Sequence, residues 1–521
     1  MKNLLMITTL LLGFAVCAQA QLTVEQAVRS MVRGINIGNS LDAYPTETSW
    51  GNPLIQKFYF PDLKKAGFDA VRIPITWDQH TSLMPPYTIN STFMARVDTV
   101  VTWALESGLF VIIDAHHETW LKTALADTSK NVAHADSCVA RFDSIWSQIA
   151  AHFKNKSDSL IFEILNEPYP MSDSNTSALN VRVLKIIRQT NPTRVVSYSG
   201  YRWSNSDELV NAEIPDSGSQ YLIGYYHSYD PYPFGLEGTG TYGSPSDLAA
   251  TKAKFDQVTT WSHLNNIPVI LDEFGFINKC EYNSRMRAYA ADAEQALRHD
   301  VPAFAWDDGG QFSIFDRNTG AFNEIKDILV YTYPQSPNGM QISQPTLTSM
   351  KLQWHNRNTE SDSIKIQRSI GSGAGFTDYA VVAPADSVFV DTSVTAGNAY
   401  YYRLKIMMKD SSELQSYPIM LNALPTAVEP VNAPAHFELL NNYPNPFNPT
   451  TNIGFRIVDF GFVSLKVYDV LGREVAVLVN GYKRPGSHEV QFDGSRLASG
   501  VYFDRLICGT HIVTGKILLI K

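Results

Sequence analysis

The sequence predicts an α/β fold, a (β/α)8 TIM barrel, followed by two small all-β sandwich domains. Eight short apolar runs rich in Val, Ile and Phe recur between residues 21 and 333, separated by stretches with apolar residues at helical spacing. Beyond residue 333 the helical period stops and alternating segments take over. Two turn-rich or Pro-rich stretches, one directly after Tyr333 and one over 425–436, divide that remainder.

The apolar runs fall at 34–38, 70–75, 110–115, 160–165, 194–199, 222–226, 268–271 and 303–305. Their near-continuous apolar character is what parallel strands buried on both faces require. Between them, 93–107, 139–153 and 285–298 read as amphipathic helices. Eight such strand–helix units close into a barrel. Residues 334–424 hold a linker and a β-sandwich, 425–436 a second linker, and 437–521 a third folded region. With 521 residues, 44% of them hydrophobic and 18% charged, the chain has material for several cores.

Residues 1–20 open with Lys2, run apolar over 4–16 and close on Ala18-Gln19-Ala20, the pattern of a secretory signal peptide. No later stretch reaches membrane-spanning length, so the mature chain is expected to be secreted and without a transmembrane segment. Cys17 would suit a lipoprotein, but Val16 is bulkier than such sites accept, and lipidation is not expected. Removal of the signal leaves Cys138, Cys280 and Cys508, too sparse for a disulfide framework. A Cys138–Cys280 bond and buried free thiols both stay open, the thiols being the simpler reading. A net charge of −9 supplies no basic field for nucleic acid or anionic lipid, and a neutral ligand suits it better.

Working residues in such a barrel project from the C-terminal ends of the strands. Polar candidates there are Asn39, Arg72, His116 with His117, Asn166 with Glu167, His227 with Tyr229, Glu273 and Trp306. Glu167 and Glu273, after the fourth and seventh runs, are the two carboxyl groups that glycoside hydrolysis needs, one to protonate the leaving oxygen and one to attack the sugar. A retaining pair stands roughly 5–5.5 Å apart. That closeness is expected to raise the pKa of Glu167 while Arg72 and Tyr229 keep Glu273 ionised. Asp114, Asp272 and Asp307 read as structural acids. Trp50, Trp77, Trp120, Tyr169, Trp203 and Tyr232 are candidates for stacking on sugar faces. The His116-His117-Glu118 cluster hints at a metal, but neighbours on a strand face opposite ways and a third ligand is missing. No metal and no other cofactor are expected. Taken singly, Arg72 reads as a structural ion pair, the histidines as satisfied core residues and Trp306 as barrel packing.

As an ordered set they resemble glycoside hydrolase family 5. The carriers are Val71-Arg72-Ile73-Pro74, Asp114-Ala115-His116-His117-Glu118, Asn166-Glu167-Pro168, His227-Ser228-Tyr229, Asp272-Glu273-Phe274-Gly275 and Ala305-Trp306-Asp307. The resemblance spans about residues 25 to 333. It implies a retaining double displacement, with Glu167 as acid/base, Glu273 as nucleophile and Asn39, Arg72, His116, His117, Asn166, His227, Tyr229 and Trp306 binding substrate. Asn39-Ser40-Leu41-Asp42 and Thr48-Ser49-Trp50-Gly51-Asn52-Pro53 further resemble its cellulase-like branches. A cleft built from loops at an open barrel mouth can accept internal chain segments, and an endo-β-1,4-glucanase acting on β-glucan or a related plant polysaccharide is the leading expectation. Mannanase, xyloglucanase, lichenase and xylanase activities stay open. A noncatalytic glycan-binding surface protein is the reading from another class, weakened because both carboxyl groups are present.

Leu352-Gln353-Trp354 and the Tyr400-Tyr401-Tyr402 run resemble the core tryptophan and late tyrosine strand of a fibronectin type III domain; an unrelated sandwich explains them nearly as well. Residues 437–521 carry Tyr443-Pro444-Asn445-Pro446-Phe447-Asn448-Pro449, Val467-Tyr468-Asp469-Val470-Leu471-Gly472-Arg473, Leu497-Ala498-Ser499-Gly500-Val501-Tyr502 and a terminal Lys516-Ile517-Leu518-Leu519. In that order they resemble the C-terminal sorting domain of type IX secretion substrates. The resemblance implies the type IX secretion machinery as a partner and release or surface attachment after outer-membrane export. Oligomeric state is left open.

Overall fold

The computed structural model describes residues 22–424 except 359, and 436–521 except 459, 460, 484, 509 and 510. The expected signal peptide and nearly all of the second linker lie outside the described residues. Contacts divide the chain into two compact units, 1–424 and 425–521.

The first unit begins with the barrel strands β1 (Arg33–Asn36), β2 (Ala70–Ile73), β3 (Phe110–Ile113), β4 (Leu160–Glu163), β5 (Val196–Tyr198), β6 (Leu222–Ser228), β7 (Val269–Phe274) and β8 (Ala303–Ala305). All run parallel in sequence order, and β1 pairs with β8 to close the ring. Every residue of β2, β4, β6 and β7 is buried, as their continuous apolar runs require of strands covered on both faces. β6 and β7 extend to Ser228 and Phe274, beyond the expected ends at 226 and 271, so His227 and Glu273 lie on the strands themselves. The helices start earlier than expected, at Val132–Phe153 and Tyr282–Arg298, where Asn131 and Glu281 accept backbone N–H groups as caps.

Inside the ring, the end away from the site is apolar: Ile112, Ile161, Ile223, Ile270 and Phe304 pack with Val24 and Val28 of the helix Val24–Ser30. Gly34 makes room for Phe304, since a Cβ there would fall 2.2 Å from the ring. One layer further up, polar residues replace the aliphatic ones. Asn36 donates from Nδ2 to the carbonyl of Asp272 at 2.9 Å, and Arg72 is fully buried beside it.

The sandwich follows without a free tether, because its first strand starts at residue 338. Its strands are β9 (Asn338–Thr346), β10 (Ser349–His355), β11 (Ser361–Ile370), β12 (Thr377–Val382), β13 (Val388–Asp391), β14 (Ala399–Met408), β15 (Glu413–Gln415) and β16 (Ile419–Asn422). They form a sheet β13-β10-β9 facing a sheet β12-β11-β14-β15, with β16 also on β14. Trp354, Tyr400 and Tyr402 are buried between them. Asn283 and Met420 exchange two hydrogen bonds at 2.9 and 2.7 Å, and Arg357 grips both oxygens of Glu294 at 2.7 Å, which docks the sandwich on the barrel helices.

The second unit holds β17 (Glu438–Leu439), β18 (Thr450–Ile457), β19 (Gly461–Tyr468), β20 (Glu474–Lys483), β21 (Gly486–Asp493), β22 (Gly500–Cys508) and β23 (His511–Leu519). Sheets β17-β18-β21 and β20-β19-β22-β23 enclose Phe447, Ile453, Phe455, Leu465 and Leu506. Cys138 and Cys280 are buried free thiols, and Cys280 Sγ donates to the Phe234 carbonyl at 3.0 Å. Among the described residues no helix is long and apolar enough to cross a membrane.

Candidate active site

Arg72 organises the mouth of the barrel. Its guanidinium donates to Glu163 through Nε and Nη2 at 2.7 and 2.6 Å, to Asp114 at 2.9 Å, to Asn166 Oδ1 at 2.9 Å, to Asn36 Oδ1 at 3.1 Å and to Glu273 Oε1 at 2.6 Å. A buried cation is tolerated because each N–H meets an acceptor. The expectation that Arg72 binds substrate needs correction: the side chain is 0% exposed and acts on a ligand only through Glu273 and Asn166.

Glu273 has its second oxygen, Oε2, bonded by the Tyr229 hydroxyl at 2.8 Å. Glu167 follows β4 in a left-handed backbone conformation, φ +38°, a region that disfavours L-residues. Its Oε1 lies 3.1 Å from His227 Nδ1, and the same nitrogen is 3.5 Å from Glu273 Oε2. One carboxylate oxygen of each glutamate and a ring nitrogen of His227 all fall within 4.8 Å of one another. The Glu167 side chain is 30% exposed and that of Glu273 only 6%, so one carboxyl faces the cleft and the other its floor.

Burial pulls both carboxyl groups up, but neighbouring charge prevails. The hydrogen bond and charge of His227 hold Glu167 below its ordinary value. His227 and Arg72 do the same for Glu273. His227 itself is held well above its ordinary value against its burial, by Glu273, Asp272 and Glu167. The expected rise of Glu167 beside Glu273 is outweighed by an imidazole that sequence spacing could not place, 3.1 Å from Glu167 and 3.5 Å from Glu273. The Tyr229 phenol is pushed well above its ordinary value by burial and by both glutamates, so it stays a proton donor.

His116 donates or accepts through Nδ1 with Asp114 Oδ2 at 2.6 Å, and its ring lies parallel to Trp306, 6.0 Å between centroids. Burial drives the His116 pKa well down and that of Asp114 up to about 7. His117 is adjacent, with the two rings 4.5 Å apart and Asp42 Oδ2 3.8 Å from His117 Nε2. The two histidines do not face opposite ways as neighbours on a strand would, since both lie in the loop after β3, and Asp42 is a third donor that the sequence did not indicate. Asn39 takes φ +53°, its N–H donates to Asp42 and its carbonyl accepts from Asn52.

A model of the family described as cellulase (glycosyl hydrolase family 5) matches residues 35–311, more than half of the chain. The chain belongs to glycosyl hydrolase family 5. Endoglucanase H of Acetivibrio thermocellus is 41% identical over 319 residues, which make up 59% of this chain and 34% of that relative. Endoglucanase B of Clostridium cellulovorans is 32% identical over 323 residues, 58% of this chain and 72% of the relative. The chain thus spans about a third of the length of one curated relative and most of the other. The structure of the broad specificity GH5-4 endoglucanase of Clostridium acetobutylicum superposes with a TM-score of 0.54 at 29% identity, over 59% of this chain and 98% of that one. Residues 441–521 match the secretion system C-terminal sorting domain.

Around the family 5 site the expected stacking rings divide. Trp50, Tyr169, Trp203 and Tyr232 are exposed, and Tyr169 stacks on Trp203 with centroids 4.2 Å apart. Trp77 is not available: it is fully buried and donates Nε1 to the Asp114 carbonyl. Trp120 bonds Glu118, and one face is covered by the Arg141 guanidinium at 4.4 Å. Tyr44, exposed and edge-on to Trp50 at 5.1 Å, joins the rim; its Tyr-Pro context gave no signal beyond a turn. Asp307 accepts three backbone N–H groups of the loop after β8, a structural use.

Proposed function

We propose that this chain is a secreted, retaining endo-β-1,4-glucanase in which Glu273 is the nucleophile and Glu167 the acid/base. The observation that carries the reading is the approach of two carboxyl groups to within 4.8 Å at one mouth. That spacing suits direct attack and falls short of the roughly 6.5–9.5 Å that separates the carboxyl groups of an inverting pair. The enclosed Glu273, held at Oε1 by Arg72 and at Oε2 by Tyr229, is fixed and ionised, as attack on an anomeric carbon requires. The more exposed Glu167 meets the departing sugar and then the incoming water, as proton transfer in both directions requires.

In the first step Glu273 forms a bond to the anomeric carbon while the glycosidic oxygen leaves with a proton from Glu167. In the second, Glu167 takes a proton from water, whose oxygen displaces Glu273. Asn166, oriented by Arg72, bonds the sugar hydroxyl beside the reacting carbon. His116, His117, Asn39 and Trp306 bind the same ring. Exposed rings on the rim stack on flanking sugars along an open cleft, which supports cutting within a chain. The relatives named endoglucanase support β-1,4-glucan as the substrate. The sorting-domain match supports export by the type IX machinery and an extracellular or surface location.

The test is Glu273→Ala and Glu167→Ala on an activated aryl glycoside with azide. Each variant is expected to lose at least about 10³-fold in kcat. Azide restores Glu273→Ala with an α-glycosyl azide and Glu167→Ala with the β-anomer. The reverse pairing of anomers would exchange the two roles, and unimpaired turnover of either variant would remove that residue from the mechanism. A panel of cellulosic, mannan, xyloglucan, mixed-linkage and xylan substrates fixes the glycan.

A further inference from the structure

Asp272 is an extra residue in the barrel register. β6 and β7 pair as Tyr226 with Leu271 and then His227 with Glu273, and β7 and β8 as Leu271 with Ala303 and then Phe274 with Ala305. The bulge turns two consecutive side chains, Asp272 and Glu273, into the barrel interior, where alternation would allow one. Asp272 is 0% exposed. Its Oδ1 lies 3.2 Å from His227 Nε2 and its Oδ2 3.8 Å from Arg72 Nε, and neither oxygen accepts a well-aligned hydrogen bond. The other nitrogen of the same imidazole, Nδ1, faces Glu167 and Glu273. A carboxylate, an imidazole and two catalytic carboxyl groups therefore stand in line through the floor of the cleft.

We propose that Asp272 is a positioning residue that acts through His227: it holds the Nε2 proton, so that the proton destined for the leaving oxygen rests on His227 Nδ1 and reaches Glu167 Oε1 in one transfer. The Nδ1–H bond breaks, an O–H bond forms on Glu167, and the imidazole is left neutral with its remaining proton toward Asp272. No other reactant is required. The inference rests on the acid/base reading of Glu167. Burial and the nearby Glu163 push Asp272 well up, and the charges of His227 and Arg72 oppose them, so the Asp272 carboxylate is kept ionised by the two cations it faces. The charged and titratable groups facing this line are Arg72 on β2, Lys122 in the helix after β3, Glu163 on β4 and Glu167 after it, Tyr225 and Tyr226 on β6 and Tyr229 after it, and Glu273 on β7. None of these contacts Nε2 as Asp272 does.

Removal of the counter-charge destabilises the protonated imidazole, so the proton shared by His227 and Glu167 is lost at lower pH. In Asp272→Asn the basic limb of the pH profile of kcat/KM is expected to move down by about one pH unit, with the acid limb moving less. In the full-length wild-type protein, ¹⁵N-histidine NMR, with the His227 signals assigned by their loss in His227→Gln, is expected to find both ring nitrogens protonated at pH 7. A profile that falls uniformly at every pH would reduce Asp272 to packing. A His227 already neutral at pH 6 in the wild type would overturn the proposal whether or not Asp272→Asn folds. The NMR result is independent of turnover, so a protein inert on every β-glycan would sink the functional reading and leave this one to be judged by the spectrum.

Discussion

Around Trp306 a single missing Cβ sets the shape of the cleft. The ring lies on Gly38, where a Cβ would fall 2.5 Å from its carbons, nearer than non-bonded atoms approach. Gly38→Ala must shift the indole and so disturb its parallel alignment with His116. The expected result is a fall in kcat/KM of about 10- to 100-fold, equivalent to about 1.4–2.7 kcal/mol of lost transition-state stabilisation. Steady-state kinetics beside a thermal melt checks this, with melting little changed if the effect is local. Legibility differs from residue to residue at this scale. The strand-end positions of Arg72, Asn166, Glu167, His227, Tyr229 and Glu273 could be read in order, and the structure gathers them into one network. Trp77 could not be sorted from Trp50, because an indole near a strand end reads the same whether its face meets a sugar or a core. Asp272 read as a structural acid because a bulge is a property of strand pairing, which no single strand sequence displays.

At the scale of the element, one carboxylate ties the sandwich sheets together. Asp391 on β13 accepts from Arg368 of β11 at 2.7 Å, from the Tyr379 hydroxyl of β12 at 2.7 Å and from the Tyr402 hydroxyl of β14 at 2.7 Å. Burial would raise its pKa, yet these donors and the Ser393 N–H bring it down to about 2. A depressed folded value gives stability that is present above the unfolded carboxylate pKa and lost as pH falls from about 4 to about 2. Asp391→Asn is therefore expected to lose about 1–2 kcal/mol at pH 7, after allowance for solvent screening, and almost nothing near pH 2. Denaturant melts at the two pH values decide it. Strand period, turn chemistry and the buried Trp354 were visible in the sequence. The docking of this sandwich on barrel helices was not, because Asn283, Glu294 and Arg357 are ordinary surface types until their partners are known.

For the molecule as a whole, eight strand–helix units bring residues more than two hundred positions apart, Arg72 and Glu273, to 2.6 Å from each other. The barrel order was legible because each buried parallel strand is a continuous apolar run, and the strand ends drifted by two or three residues where polar side chains turn inward. The central claim is that Glu273 attacks the sugar directly, which makes two inversions and a net retention of configuration. Proton NMR of the first products released from a reduced-end-labelled cellooligosaccharide tests it before mutarotation intervenes. The β-anomer appearing first, with the α-anomer growing in later, is the predicted result. The α-anomer appearing first would mean a single displacement by water and would contradict the account.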